Sequence, residues 1–184
     1  KKKISKKIYI LEKSKNHIQQ IKKLRLKCEI LKNTKTQIPS VDMIIFCTHL
    51  SEYIKIFQKI SKYINKNTIV TDVGSVKEKI LKKIKLNVKK DISWISSHPI
   101  AGSEVSGPKF GHENLFLSKW CVLIKDKKTN KKHMQILSKF WTKIGSNIVL
   151  MSSKEHDHIF SITSHLPHLI AYNMVKTAMN FENK

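Results

Sequence analysis

Short apolar runs alternate with amphipathic stretches along the chain, which is the pattern of a mostly parallel sheet flanked by helices. Residues 7–12 read as a strand, and Ile18, Ile21, Leu24 and Leu26 place a helix after it. Residues 42–47 form a nearly continuous apolar run, the kind of strand that is buried on both faces. Ile54, Phe57, Ile60 and Ile64 then fall at helical spacing. A third strand is predicted over 68–72 and a helix over 77–86, with further strands over 92–95 and 121–124. Met134, Leu137, Phe140, Trp141 and Ile144 line one face of a helix, and residues 147–151 return as a strand. From Ser153 onward the chain reads as one long helix, interrupted near Pro167 because proline lacks the amide that a helix interior needs.

A chain of 184 residues, 40 % hydrophobic, fills one domain and can begin a second. No apolar run approaches the about 20 residues that span a bilayer. The N-terminal lysine cluster has no apolar stretch behind it, as a secretory signal would. Cys28, Cys47 and Cys121 show no CxxC spacing, so a reducing cytoplasm fits, and Cys47 is expected as a small buried thiol. The 36 Lys+Arg against 13 Asp+Glu, a formal +23, raise the alternative of a basic nucleic-acid-binding module. Against it, the lysines are scattered through every segment and Arg25 is the only arginine, the residue that phosphate forks and base readout favour. The excess charge can instead help to attract anionic substrate and cofactor. A dinucleotide fold should open with a strand, a GxGxxG turn and a helix. No glycine precedes Gly74 and no initiator methionine is present, while the other end stops within an apolar helical stretch, so a fragment of a longer protein is expected.

Four groups of residues carry candidate chemistry. Glu12, at the end of the first strand, can accept hydrogen bonds from an adenosine ribose, which favours NAD. Lys13 and Lys15 beside it keep NADP open. In Thr71-Asp72-Val73-Gly74-Ser75-Val76-Lys77-Glu78, Ser75 and Glu78 have capping-box spacing at a helix start. The same place is where parallel sheets hold ligands, so the Ser75 hydroxyl can also serve a nicotinamide or a neighbouring histidine. In the loop 96–107, Pro99 restricts the backbone of His98, and Gly102 and Gly107 permit close approach of a ligand. A histidine there can accept a proton from a substrate hydroxyl. Finally, Ser152 and Glu155 again have capping-box spacing, and His165 and His168 share one helical face around Pro167. His156, His158, His165 and His168 raise a metal site, which no HExxH or CxxC pattern supports.

The segments TDVGSVK, HPIAGSE and EHD followed by SHLPH, in this order, resemble the prephenate/arogenate (cyclohexadienyl) dehydrogenase family. The resemblance extends from Lys7 to Tyr172. It implies a Rossmann-like nucleotide-binding domain over 1–151 and, over 152–184, the start of an all-helical domain that forms a homodimer. It also implies NAD(P)-dependent oxidative decarboxylation of prephenate or arogenate on the way to tyrosine. Carried over by position, His98 accepts the hydrogen bond of the ring hydroxyl, and Ser75 orients His98 and touches the nicotinamide. His165 and His168 lie by the substrate, with His168 on a carboxylate; Gly102 borders the substrate, and Glu104 sits at the mouth. Thr48 and Gly74 join Glu12 and Ser75 on the cofactor side. Thr48-His49-Leu50 stands where the family has a proline after a small residue. A hydroxyacid-type dehydrogenase would share the sheet but not the pairing of HPIAGSE with SHLPH.

Overall fold

The strands form where apolar residues meet a parallel neighbour. In the computed structural model, which describes residues 4–87, 92–102 and 105–182, β1 (Tyr9–Ile10) pairs parallel with β2 (Glu29–Ile30). β3 (Met43–Phe46), β4 (Ile69–Asp72) and β5 (Ser93–Trp94) lie parallel in that order, with Met43 opposite Ile69 and Phe46 opposite Asp72. A third ladder holds β6 (Ser97–Pro99), β7 (Trp120–Ile124) and β8 (Asn147–Met151). Here β7 runs parallel to β8 but antiparallel to β6, which pairs His98 with Val122.

Three expectations change. The run predicted over 92–95 forms β5, but a further short strand, β6, follows it, so His98 belongs to β6 rather than to a free loop. Pro99, which cannot donate to a ladder, is tolerated at the last position of that strand. The run 42–47 is a strand, but Met43, Ile44 and Ile45 are only half-buried. Among the described residues β3 is bonded to β4 on one side alone, so its other edge lacks the cover a central strand would have. Cys47, one residue past β3, is exposed rather than buried.

The helices follow their caps. Ser14 accepts the His17 amide and opens α1 (Lys15–Lys23), which stops before Leu24 and Leu26 and leaves both exposed. A short α2 (Thr34–Gln37) is capped by Asn33. α3 (Tyr53–Ile60) buries Tyr53, Phe57 and Ile60 with Phe46 and Val70 in one core. α4 (Glu78–Asn87) packs Ile84 into that core and Leu81 against Val122 and Ile124. Asn130 caps α5 (Lys131–Ile144), whose Met134, Leu137 and Trp141 fill a second core with Ile95, Cys121 and Leu123, as the helical spacing predicted. Each fully buried side chain of that kind contributes about 1.5–3 kcal/mol. α5 ends at Gly145, whose φ of 108° is the left-handed conformation that only glycine adopts without strain.

Ser152 opens α6 (Ser153–Phe160) with the predicted capping box: its hydroxyl accepts the Glu155 amide, and the Glu155 carboxylate accepts the Ser152 amide at 2.8 Å. The interruption predicted near Pro167 takes the form of a π-helical turn, residues 161–165, between α6 and α7 (Leu166–Glu182). A π turn relieves the clash between a proline ring and the carbonyl four residues earlier by widening the helix there. Leu166, Leu169, Ile170, Tyr172, Met174 and Val175 of α7 are all exposed.

Candidate active site

β6 and α6 meet at His98. β6 presents its imidazole, and the first turn of α6 presents His156 and Asp157 to it. His98 Nδ1 lies 2.8 Å from His156 Nε2, and His156 Nδ1 lies 2.8 Å from Asp157 Oδ1. Phe160, one turn further along α6, packs against both imidazoles, T-shaped to His98 and tilted to His156, with ring centroids at 4.8 and 4.6 Å. His156 is fully buried and His98 partly so. The result is a three-residue hydrogen-bonded chain with an apolar wall.

Asp157 has a second task. Its Oδ1 accepts the Lys77 amide at 2.9 Å and its Oδ2 the Glu78 amide at 2.8 Å. Those are free donors at the start of α4, so Asp157 caps a helix 79 residues away in sequence. The capping box expected between Ser75 and Glu78 is therefore not formed. Glu78 is the first residue of α4 rather than the third, and its amide is taken by Asp157. Ser75 is exposed at the C-terminal end of β4.

A buried ion pair fixes the strands beneath. Lys77, 0 % exposed, donates to Asp72 at 2.5 Å and to the Ser97 carbonyl at 2.6 Å, tying the end of β4 to β6 one residue from His98. Asp72, also 0 % exposed, takes the Gly74 amide at 3.1 Å and the Trp94 indole N–H at 3.3 Å. The Ser97 hydroxyl meets Thr71 at 2.7 Å and accepts the Trp141 indole N–H at 3.1 Å. The position of β6 is thus set from both sides of the sheet.

Charge follows from this burial. Desolvation, reinforced by the Lys77, His156 and His165 charges, pulls His98 down to about 3, so the imidazole is neutral at physiological pH. Burial also lowers His156, against the pull of Asp157. Burial raises Asp157, but the bonds from His156 and from the Glu78 and Lys77 amides outweigh it and hold the carboxyl below its usual range. Lys77 is lowered by burial and drawn back by Asp72.

These shifts make stability depend on pH with a definite sign. The folded value of His98 lies below the ordinary 6.5, so the unfolded chain binds a proton that the folded chain refuses. That stability is complete above pH 6.5 and is lost as pH falls toward 3. His156 acts in the same direction, and the Asp157 contribution is lost below its ordinary 3.8. Urea unfolding between pH 7 and 4.5 is expected to lose up to about 1.4 kcal/mol per pH unit for each buried histidine. His98→Asn should flatten the slope; a flat wild-type profile would contradict the neutral pair.

The other expected residues fall into two groups. His165 ends the π turn, exposed but near enough for its charge to act on His98, and His168 is exposed one turn later. Gly102 has open space where a Cβ would stand. Glu104 lies outside the described residues. On the cofactor side, Thr48 and Ser75 are exposed just past the parallel strands β3 and β4. Glu12 follows β1, its carboxylate turned on its own loop: it accepts the Lys13 and Ser14 amides at 2.7 and 2.8 Å and meets His17 Nδ1 at 3.2 Å. Gly74 has a reason internal to the protein, since a Cβ there would sit 2.5 Å from Leu50. The histidine group suspected of binding metal is divided: both nitrogens of His156 are committed to His98 and Asp157. Among the described residues no group of three or more His, Cys, Asp or Glu is placed to hold a metal ion.

His156, Asp157 and Lys77 were not singled out for this role by the sequence. The only signals were that EHD and TDVGSVK formed part of the resemblance. A contact across 58 residues leaves no trace in spacing.

Comparison with known proteins decides the family. The model for the prephenate dehydrogenase nucleotide-binding domain matches residues 1–150, and that for the prephenate dehydrogenase dimerization domain matches 152–184. The chain belongs to the prephenate dehydrogenase family. Within it, the cyclohexadienyl dehydrogenase of Zymomonas mobilis is 30 % identical over 161 residues, covering 88 % of this chain and 55 % of that protein. The prephenate dehydrogenase of Bacillus subtilis is 32 % identical over 115 residues, 62 % of this chain and 31 % of its own length. The crystal structure of the Aquifex aeolicus prephenate dehydrogenase, in complex with hydroxyphenyl propionate and NAD+, superposes with a TM-score of 0.86 at 29 % identity. That match covers 96 % of this chain and 61 % of that one. The chain thus spans between 31 % and 61 % of the length of these family members, and its fold is the Rossmann-like fold of the nucleotide-binding domain.

Proposed function

We propose that the full-length protein is a cytoplasmic dehydrogenase of tyrosine biosynthesis that oxidatively decarboxylates prephenate or arogenate with NAD. The observation that carries this reading is the neutral, partly buried His98, anchored through Nδ1 and walled by Phe160, at the edge where the parallel strands end. A site for an alcohol oxidation needs such an acceptor, unprotonated at neutral pH and free to meet a hydroxyl through its other nitrogen.

The residues around it suit the rest of the reaction. Glu12 keeps carboxylate lone pairs for a ribose after satisfying its own loop, and Thr48 and Ser75 offer hydroxyls to the nicotinamide end. The glycine turn that would cradle the pyrophosphate is not part of this sequence. When bound, NAD supplies the acceptor for the hydride that leaves the hydroxyl-bearing ring carbon. His98 polarises that hydroxyl as the hydride departs. The ring carboxylate then leaves as carbon dioxide, and its bonding electrons complete the aromatic ring, so the protein needs mainly to position and polarise. His165, His168, Gly102 and Glu104 are assigned to the substrate side, His168 to a carboxylate. The exposed apolar surface of α7 fits burial within a helical body shared with a second copy, since a helix that is apolar on all sides belongs in a core.

Incubating the full-length protein with prephenate or arogenate, and with NAD or NADP, tests the reading. Reduced nicotinamide is expected with one ring substrate and NAD at rates typical of enzymes, about 1–1,000 per second. No turnover in any of the four combinations would overturn it.

A further inference from the structure

The buried chain behind His98 determines which of its nitrogens carries the proton. Asp157 is ionised and can only accept, and it already receives two backbone amides. His156 Nδ1, 2.8 Å from Asp157 Oδ1, must therefore carry the hydrogen. In a neutral imidazole that leaves Nε2 as a bare acceptor, and Nε2 is the atom 2.8 Å from His98 Nδ1. His98 must donate from Nδ1, and its Nε2 is left with the lone pair. His156 is 0 % exposed, and Phe160 packs against both rings, T-shaped to His98 and tilted to His156.

We propose that His156 is a positioning residue, held by Asp157, that locks His98 in the Nδ1–H tautomer with Nε2 bare toward the substrate hydroxyl. This rests on the dehydrogenase reading given above and adds a role for two residues behind the reacting one. As hydride leaves, the hydroxyl proton is shared with His98 Nε2, and the developing imidazolium charge is spread over His156 toward the Asp157 carboxylate. When carbon dioxide has departed and the ring is aromatic, the same proton returns to the phenolic oxygen. No net proton is stored in the chain.

The chain also couples the two histidines in acid. Protonation of His156 puts a hydrogen on its Nε2, which forces His98 Nδ1 to accept and moves the His98 hydrogen to Nε2. The site then presents a donor where an acceptor is needed. The groups that set this balance are His98 on β6, His156 and Asp157 on α6, Lys77 and Asp72 at the junction of β4 and α4, Cys121 on β7 opposite Pro99, and His165 on the π turn. The acid limb of turnover accordingly belongs to the pair of histidines, with macroscopic behaviour that neither ring owns alone.

Two measurements on the full-length protein test this. In protein labelled with nitrogen-15 histidine, long-range proton–nitrogen correlation at neutral pH is expected to show His98 and His156 both protonated at Nδ1 and bare at Nε2. A His98 protonated at Nε2 would overturn the proposal, whatever the enzyme turns over. For catalysis, His156→Asn can still reach Asp157 but is too short for His98, whereas His156→Gln can place its amide oxygen near His98 Nδ1. His156→Asn is expected to lower kcat about 100-fold with KM for NAD within about threefold, and His156→Gln to recover at least about tenfold of that loss. In His156→Gln the acid limb should also narrow to a single ionisation. Equal turnover in wild type and both variants, or equal loss in Gln and Asn with an unchanged acid limb, would contradict the role. Should the wild type turn over neither ring substrate, the tautomer measurement still decides the proposal while the functional reading falls.

Discussion

His98→Asn is expected to lower turnover of the full-length protein by about 1,000-fold while leaving NAD affinity within about threefold. The amide fits the space of the ring, and its short side chain can keep a contact toward His156. It has no basic nitrogen to share the hydroxyl proton. The proposed cofactor residues Thr48 and Ser75 lie past β3 and β4, and His98 Nδ1 is bonded to His156 rather than to either of them. The loss should therefore appear in kcat and not in cofactor binding. Steady-state kinetics with a fluorescence titration of NAD separate the two. Unchanged turnover would remove His98 from the reaction, and a parallel loss of cofactor affinity would make it a structural residue.

The second large effect concerns stability. Lys77→Met should cost about 3–5 kcal/mol, because it strands the Asp72 carboxylate in a site with no access to water. Among the described residues Asp72 would keep the Gly74 amide and the Trp94 indole, the latter at a long 3.3 Å. The Ser97 carbonyl would lose a charged donor as well, loosening β6 beside His98. Combining Lys77→Met with Asp72→Asn should recover at least about half of the loss, since the uncompensated charge disappears with its partner. Urea midpoints of the two single variants and the double variant make the test. A single-variant loss below about 1 kcal/mol would mean that the pair is hydrated or dispensable.

Local chemistry was the part of this fold that the sequence displayed. The runs at 42–47 and 68–72 became β3 and β4, and the Met134, Leu137 and Trp141 stripe became the buried face of α5. The Ser152–Glu155 box formed because both its bonds lie within one helical turn. The same spacing at Ser75 and Glu78 failed for a non-local reason: Asp157, brought in by α6, supplies a carboxylate to the amides that Ser75 would have capped. A charged acceptor of two amides at once outcompetes a neutral hydroxyl. Likewise β6 was hidden in a motif that read as a loop, since its pairing depends on β7, more than 20 residues on.

The candidate site divides along the same line. His98 was singled out through its motif, and His165 and His168 were put forward from their helical spacing and the resemblance. His156 was legible only as one of several histidines, and the sequence offered no reason to place it on His98 rather than on a metal. The Lys77–Asp72 pair was in plain view, five positions apart within one motif, yet its burial was not, because charged side chains usually lie on a solvated surface. What the chain conceals, therefore, is the set of contacts that α6 makes when it folds back over the ends of β4 and β6.

The most direct test follows the hydride and the carboxylate together. The full-length protein is given its ring substrate with deuterium on the hydroxyl-bearing carbon and carbon-13 in the ring carboxylate, with NAD as oxidant. Deuterium is expected in the reduced nicotinamide, with one labelled carbon dioxide released for each. Reduced nicotinamide without deuterium, or without matching carbon dioxide, would contradict oxidative decarboxylation at this site.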